Sequence, residues 1–254
     1  MSLIYEPSRS LSSRIKRRIV PYQAQNLQSV KLNRPIVSFT FDDCPLSAIT
    51  NGLPQLEAKN WRSTVYLACG LFDTTNHLGL HMGCDDARAV HNNGHEIGDH
   101  TFSHIDASSC EVSDAITDIR KNQAELVRLG LPESETFAYP YGQATPELKR
   151  TLQTYFKGSR GIAPIVHRKS VDLNQVGSMP LFSGQSFDKL LREIKSLSAS
   201  PAWMTIFTHD VRDTPSKWGT TPSQLSEIID AVERSGAEVM PVIGAIKRLE
   251  YLEQ

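Results

Sequence analysis

The chain has 254 residues, which is enough for one large α/β domain or two small domains. Its 27 Lys and Arg residues nearly balance its 28 Asp and Glu residues, which disfavours bulk electrostatic attraction to nucleic acid or to an anionic membrane. No apolar run approaches the ~20 residues that span a bilayer, and the N-terminus lacks the apolar core of a secretory signal. We therefore expect a cytoplasmic protein with no transmembrane segment and no nucleic-acid partner.

Residues 1–30 show no clear periodicity and contain a basic cluster formed by Arg14, Lys16, Arg17 and Arg18. A contact with an anionic polymer is one interpretation of this cluster, and a solvated arm that packs on the domain is the favoured one. No repeat, low-complexity segment or linker divides the chain after the arm. We predict an N-terminal arm over residues 1–30 and a single domain over residues 31–254.

The four cysteines are widely spaced and form no Cys-x-x-Cys pair. This pattern favours reduced thiols over a disulfide framework. We expect free thiols at Cys44, Cys69, Cys84 and Cys110.

From Pro35 onward, short apolar runs rich in β-branched and aromatic residues alternate with helical patterns. The predicted strands are residues 36–41, 64–69, 95–98, 136–139, 203–208 and 238–242. The predicted helices are residues 46–58, 85–92, 112–129, 146–156, 187–197 and 222–235, and two of them begin with Thr-Pro pairs. This alternation predicts an α/β domain with a parallel sheet and right-handed crossovers, in which chemistry gathers at the carboxyl ends of the strands.

Two aspartates, Asp42 and Asp43, follow the first predicted strand directly. Adjacent carboxylates repel one another, and a nearby cation removes that cost. Because consecutive side chains point in different directions, one carboxylate can bind a metal ion while the other faces a substrate. Capping of the following helix is the alternative interpretation.

Two histidines four positions apart, His100 and His104, follow the third predicted strand. Their spacing allows both rings to bind one ion from a helix, a single turn or a loop. Two imidazoles and a carboxylate form a nitrogen and oxygen ligand set that suits a divalent metal such as zinc. A surface pair of histidines without a ligand is the alternative.

Two further segments place polar groups at strand ends. The strand over residues 136–139 runs into Pro140-Tyr141-Gly142, a tight turn whose backbone N–H groups could form an oxyanion hole. His209 follows the strand over residues 203–208, where an imidazole could act as a general acid. An ordinary turn and a core histidine are the alternatives.

Four segments, taken in chain order, resemble four of the five motifs of the polysaccharide deacetylase family of carbohydrate esterases, also called the NodB homology domain. The segments are Thr40-Phe41-Asp42-Asp43, His100-Thr101-Phe102-Ser103-His104, Pro140-Tyr141-Gly142 and Phe207-Thr208-His209. The resemblance covers most of residues 35–242. It implies a distorted (β/α)7 barrel, and it makes residues 31–254 the catalytic domain of a metal-dependent hydrolase.

The resemblance also implies roles for individual residues. It assigns Asp42 as the general base on water, the backbone N–H of Tyr141 as an oxyanion donor and His209 as the acid for the leaving amine. The divalent metal would be zinc, with cobalt or nickel as alternatives. Its implied ligands are Asp43, His100 and His104.

The sequence departs from the family pattern at three places. Cys44 stands where glycine is usual, and its thiol either reaches the metal or, as favoured, points into the barrel wall. Ala138 stands where an arginine often orients the base, and we predict that Arg160 replaces that arginine. The fourth motif, an acid-x-Trp element near the catalytic histidine, is not legible, and Asp172 is the candidate for its acid. These departures indicate a divergent subgroup.

The leading hypothesis is an N-deacetylase that acts on an N-acetylated amino sugar in a polysaccharide, an oligosaccharide or a glycolipid precursor. Trp218 and Tyr141 could stack on a sugar, whereas Trp203 fits the core better. A deformylase or another hydrolase of small amides is the alternative, because it would share the metal site. A non-catalytic carbohydrate-binding protein is disfavoured, since it needs no base, metal set and acid together. The sequence names neither the sugar nor the oligomeric state.

Overall fold

A computed structural model describes residues 18–184 and 186–252 of the chain. Its strands are β1 (Leu27–Ser29), β2 (Ile36–Asp42), β3 (Thr64–Leu67), β4 (Thr75–Asn76), β5 (Gly79–Leu80), β6 (Glu96–Asp99), β7 (Thr136–Ala138), β8 (Gly158–Arg160), β9 (Ser170–Asp172), β10 (Met179–Pro180), β11 (Trp203–Thr208) and β12 (Glu238–Val239). Its α-helices are α1 (Leu53–Glu57), α2 (Cys84–Asn92), α3 (Val112–Arg128), α4 (Pro146–Leu152), α5 (Ser186–Ser196), α6 (Pro222–Arg234) and α7 (Val242–Leu252).

The main sheet is parallel and runs in the order β10-β11-β2-β3-β6-β7-β8, with β12 added beside β2. The seven strands of this path curl into a half-barrel. Two antiparallel pairs, β1 with β9 and β4 with β5, lie outside it. The predicted α/β class and the distorted (β/α)7 barrel are confirmed.

Strand β2 is the centre of the sheet, and all seven of its residues are buried. On one side β11 pairs with it from Ile36 to Phe41. On the other side β12 pairs with its beginning and β3 with its end, where Asp42 lies opposite Tyr66. A parallel strand covered on both faces carries a run of mostly apolar side chains. That run delivers its final aspartate to the carboxyl edge of the barrel.

The helix starts that the Thr-Pro pairs predict are present. Thr145 accepts a hydrogen bond from the Leu148 N–H at 3.1 Å at the start of α4. Thr221 accepts one from the Gln224 N–H at 3.2 Å at the start of α6. Each such cap stabilises a helix by roughly 1 kcal/mol. The apolar faces of these helices bury Leu148 and Leu225 against the sheet.

Six strands of the structure, β1, β4, β5, β8, β9 and β10, have no counterpart among the predicted elements, and two predicted elements differ markedly from the observed ones. The predicted helix over residues 46–58 consists of a π-helix, Ala48–Gly52, followed by α1. The predicted strand over residues 238–242 ends at Val239, and α7 begins at Val242 without having been predicted. Long-range side chains cap α7: Thr64 Oγ1 accepts from the Val242 N–H at 2.9 Å, and Glu96 accepts from the Ile243 N–H at 3.0 Å.

Most of the predicted N-terminal arm lies outside the described residues, including Arg14, Lys16 and Arg17. Its last residues pair as β1 with β9, so the division at residue 30 stays a prediction. All four cysteines are free thiols, as expected. Within residues 18–184 and 186–252, no helix has the length and apolarity to cross a membrane.

Candidate active site

All of the predicted site residues lie at the carboxyl edge of the half-barrel. Asp42 ends β2 and Arg160 ends β8, while the other residues lie just beyond strand ends. Those that follow β2, β6, β7 and β11 are Asp43, His100, His104, Tyr141 and His209. The pairing of β11 with β2 and of β6 with β7 and β8 brings these strand ends together.

Asp43, His100 and His104 form one compact cluster. Asp43 Oδ1 lies 3.1 Å from Nε2 of His100 and 3.0 Å from Nε2 of His104. One ligand atom from each residue can be chosen so that all lie within 4.8 Å of one another. Asp43 and His100 are buried, and His104 is largely buried. Their donor set of two imidazoles and one carboxylate fits a catalytic zinc site, which uses three protein ligands.

The hydrogen bonds behind the two rings support this fit. Nδ1 of His100 lies 2.7 Å from the carbonyl oxygen of Ala138, which can only accept, so Nδ1 carries a proton. The Nε2 atom of a neutral His100 then points its lone pair at Asp43 Oδ1. Two acceptors at that distance need a cation between them, either a proton or a metal ion. A backbone partner on the second ring nitrogen is typical of metal-binding histidines.

The charges within the cluster favour an ionised carboxylate. Burial opposes the ionisation of Asp43, but the charge of His104 and the close approach of both imidazoles outweigh it, so the pKa of Asp43 lies well below the ordinary value. Burial lowers the pKa of His104, yet Asp43 raises it above the ordinary value. Nδ1 of His104 is 3.1 Å from the Tyr141 hydroxyl. The Tyr141 side chain therefore holds the ring of a proposed ligand.

Asp42 faces Arg160 in a buried ion pair. Arg160 Nη2 donates to Asp42 Oδ2 at 2.6 Å, and Arg160 Nη1 donates to the Gly161 carbonyl at 3.1 Å. Asp42 Oδ1 and Arg160 Nε are two of the nine buried polar side-chain atoms of the described residues that have no hydrogen-bond partner. Buried polar atoms are usually paired, so an unpaired carboxylate oxygen here points to a functional role.

The register of the sheet explains how Arg160 reaches Asp42. Ala138 on β7 lies directly opposite Arg160 on β8. Arg160 therefore stands on the strand next to the position where the family pattern has its arginine, in the same layer of the barrel. The Arg160 guanidinium lies 5.2 Å from the Tyr66 ring centre, and that ring crosses β6 at Gly98, where a Cβ would come within 2.3 Å of it.

Backbone strain is concentrated at this edge. Eight described residues other than glycine have positive φ, and five of them are Asp43, Cys44, Thr101, His104 and Tyr141. Such conformations cost about 1–3 kcal/mol each and cluster at functional sites. The φ of Cys44 is 60°, which explains why glycine would suit that position.

The Cys44 thiol does not join the cluster. It is buried and donates to the Tyr66 carbonyl at 3.5 Å. Burial raises the pKa of this thiol well above its ordinary value, which disfavours the thiolate. The favoured interpretation, in which the side chain points into the barrel wall, is confirmed.

His209 follows β11 directly and has a backbone partner. Its Nδ1 is 3.1 Å from the Trp218 carbonyl oxygen. The Asp172 carboxylate, predicted to support this histidine, instead accepts from the Asn26 and Asn174 N–H groups and from Lys149 Nζ. The assignment of Asp172 to the fourth motif is therefore wrong.

Two features of the site could not be predicted from the sequence. The sequence places Tyr66 in a strand but gives its ring no role, because all four residues of β3 are buried and only the fold brings the ring to Arg160. The contact of His209 with the Trp218 carbonyl left no trace in the sequence, because any residue can supply a backbone carbonyl. Trp203 is fully buried and donates from its indole to Ser38, as expected for a core residue.

Comparisons with known proteins agree with this geometry. A model of the polysaccharide deacetylase family matches residues 29–155, which is half of the chain. A search of curated protein sequences finds no match. The chain belongs to the polysaccharide deacetylase family, a class of carbohydrate deacetylases.

Solved structures share the fold at low sequence identity. A chitin deacetylase from the fungal pathogen Colletotrichum lindemuthianum is 17% identical with a TM-score of 0.61, over 88% of this chain and 92% of the other. The Bc1960 peptidoglycan N-acetylglucosamine deacetylase is 22% identical with a TM-score of 0.58, over 88% and 93%. A family 4 acetyl xylan esterase from Clostridium thermocellum, solved with cobalt, is 20% identical with a TM-score of 0.58, over 85% and 91%.

Proposed function

We propose that this protein is a metal-dependent hydrolase that removes the N-acetyl group from an amino sugar in a polysaccharide, an oligosaccharide or a glycolipid precursor. The observation that carries this proposal is the position of the Asp43–His100–His104 cluster beside the Asp42–Arg160 pair. A ligand set for a divalent ion and a carboxylate with a free oxygen are the two groups that metal-assisted hydrolysis of an amide requires.

Asp43, His100 and His104 would hold the ion, most suitably zinc, with cobalt or nickel as alternatives. When bound, the ion would act as a Lewis acid toward the amide carbonyl. The Nδ1 contacts of the two rings, with the Ala138 carbonyl and the Tyr141 hydroxyl, leave both Nε2 atoms for the ion.

Asp42 is the proposed general base. Arg160 occupies its Oδ2, so Oδ1 is the oxygen that accepts a proton from the attacking water. The guanidinium fixes the carboxylate plane and balances its negative charge, which keeps the base in place through the reaction.

The other half of the reaction belongs to Tyr141 and His209. The turn at Tyr141 has a φ of 58°, and its backbone N–H is the proposed donor to the oxyanion. Nδ1 of His209 faces the Trp218 carbonyl, so Nε2 is the nitrogen that delivers a proton to the leaving amine. Cleavage of the amide C–N bond then yields acetate and a free amino sugar.

The choice of substrate rests on the similar structures. A chitin deacetylase and a peptidoglycan N-acetylglucosamine deacetylase share this fold. Oligomers of N-acetylglucosamine are therefore the first substrate to test. We propose that the metal cluster and the Asp42–Arg160 pair act on such sugars in this protein as well.

The test measures acetate release from chitooligosaccharides together with bound metal. We expect release to stop with a chelator and to return with zinc or cobalt. His104→Ala should lose both metal and activity, whereas His91→Ala, on the last turn of α2, should keep both. Formate release without acetate release, or activity that survives complete metal removal, would contradict the proposal.

A further inference from the structure

We infer that Asp210 and Ser216 are positioning residues for His209, and that they act through the peptide group of Trp218. This inference rests on the proposed role of His209 as the acid for the leaving amine. It replaces the support that the sequence had assigned to Asp172.

A continuous chain of hydrogen bonds joins the Asp210 carboxylate to the imidazole. Ser216 Oγ donates to Asp210 Oδ1 at 2.5 Å. The same hydroxyl accepts from the Trp218 N–H at 3.2 Å. The Trp218 carbonyl oxygen then lies 3.1 Å from His209 Nδ1 and 3.3 Å from the His209 backbone N–H.

Asp210 is a rigid end point for this chain. It is fully buried, and its Oδ2 accepts from Arg212 Nε at 2.7 Å and from the Ser216 N–H at 2.8 Å. The segment folds back so closely that a Cβ at Gly219 would lie 2.4 Å from Asp210 Oδ1. Thr220 completes the closure with a backbone bond to the Asp210 carbonyl at 2.9 Å.

The segment between Asp210 and Thr220 has no regular secondary structure, so its shape depends on these bonds. Ser216 accepts from the N–H of Trp218, and Thr208 Oγ1 donates to the carbonyl of the same residue at 3.4 Å, and both bonds direct that carbonyl at the imidazole. A carbonyl partner fixes the proton on Nδ1 and leaves Nε2 to exchange a proton with the leaving group. Hydrogen bonds in such a chain polarise one another, so an anionic end strengthens the carbonyl as an acceptor.

The arrangement predicts an effect that depends on the leaving group. An amine leaving group must be protonated as the C–N bond breaks, whereas a p-nitrophenolate leaves without a proton. Loss of the chain should therefore slow amide hydrolysis and spare the hydrolysis of p-nitrophenyl acetate. A merely structural lesion would lower both rates together.

The experiment compares Ser216→Ala and Asp210→Asn on chitooligosaccharides and on p-nitrophenyl acetate, with the metal-loaded full chain. We expect kcat on the amide to fall by roughly 10- to 100-fold, as for other groups that orient a catalytic side chain. The ester rate should stay within about twofold. Ser63→Ala is the matched control, because that buried serine bonds to His95 at the opposite end of the barrel.

Nitrogen NMR of the imidazole groups supplies a second measurement that needs no activity. His209, assigned by comparison with His209→Gln, should carry its proton on Nδ1 in the wild type and populate both tautomers in Ser216→Ala. Equal losses on amide and ester, or an unchanged tautomer in folded variants, would overturn the inference. If the wild type released no acetate, the proposed function would fail. The imidazole shifts would still show whether Asp210 and Ser216 position His209.

Discussion

Two buried carboxylates in this barrel each face a cation, but only one of them has all its oxygens occupied. Asp172 pairs with Lys149 at 2.8 Å, and its other oxygen accepts from the Asn26 and Asn174 N–H groups. Asp42 pairs with Arg160 at 2.6 Å, and its other oxygen has no partner among the described residues.

The difference separates a structural ion pair from the pair that we propose to be catalytic. Lys149 also donates to the Val20 carbonyl at 3.4 Å, so the pair ties α4 and β9 to the N-terminal segment. A fully bonded pair resists rearrangement, while a half-bonded carboxylate at the carboxyl edge can still accept a proton. Charge and burial alone would not distinguish the two, but their hydrogen bonds do.

The sharpest test exchanges each carboxylate for its amide. Asp42→Asn should lower kcat on the order of 10²–10⁴, since it removes the proton acceptor. Bound metal should be unchanged, because Asp43, His100 and His104 are intact. Asp172→Asn is the matched control and should keep kcat. Substantial activity in Asp42→Asn, measured by acetate release, would remove Asp42 from the role of base.

The structural pair should show its effect in stability instead. Lys149→Met or Asp172→Asn alone leaves one buried group without its counter-charge and should lower the free energy of unfolding by about 3–5 kcal/mol. The double variant removes both charges and should be more stable than either single variant. Chemical denaturation measures all three. If the double variant were no more stable than the single variants, the unpaired charge would not be the cause of their loss of stability.

A third test moves the arginine back by one strand. Arg160→Ala should lower kcat by roughly 10- to 100-fold, as loss of an orienting partner does. Because Ala138 lies opposite Arg160 in register, adding Ala138→Arg should restore part of that loss. Ala138→Arg alone crowds two guanidinium groups into one layer and should be unstable. A folded double variant with a kcat no higher than that of Arg160→Ala would show that an arginine in this layer of the barrel is not enough to orient Asp42.

The same contrast explains what could be predicted from the sequence. Strand β2 could be predicted because β-branched and aromatic residues dominate residues 36–41, and Asp42 at its end marked the carboxyl edge of the sheet. Helix α7 could not be predicted, because its first N–H groups donate to Thr64 and Glu96, more than 140 positions away in the sequence. Asp172 was misassigned for the same reason, since only the fold shows that Lys149 faces it.

A buried, hydrogen-bonded histidine outside the active site, His95, should make the stability of the protein sensitive to acid. Nδ1 of His95 accepts from the Ser63 N–H at 3.0 Å, and burial lowers the His95 pKa below 6.5 despite the raising effect of Glu57. The unfolded chain therefore takes up a proton before the folded one as pH falls. The contribution of His95 to the free energy of unfolding is complete well above pH 6.5. It declines as the pH falls below that value, by at most about 1.4 kcal/mol per pH unit.

Denaturation of the wild type and of His95→Gln between pH 8 and pH 5 measures this contribution. The variant should be less stable at pH 8 and should lose less stability on acidification. Parallel slopes for the two proteins would assign the acid sensitivity to other groups. Burial lowers the His167 pKa as well, and the Gly177 N–H donates to that ring at 3.0 Å, so part of the slope should remain in the variant.

The smallest expected effect concerns Cys44, a strained residue beside the Asp43–His100–His104 cluster. Cys44 has a φ of 60°, whereas nearby Ala68 is equally buried with a φ of −107°. Glycine normally destabilises a buried position relative to alanine, but left-handed backbone reverses the order. Cys44→Gly should therefore be more stable than Cys44→Ala by about 1 kcal/mol, while Ala68→Gly should be less stable than the wild type. Both Cys44 variants should keep metal and kcat, because the thiol faces the Tyr66 carbonyl; loss of metal in Cys44→Ala would make the thiol a ligand after all.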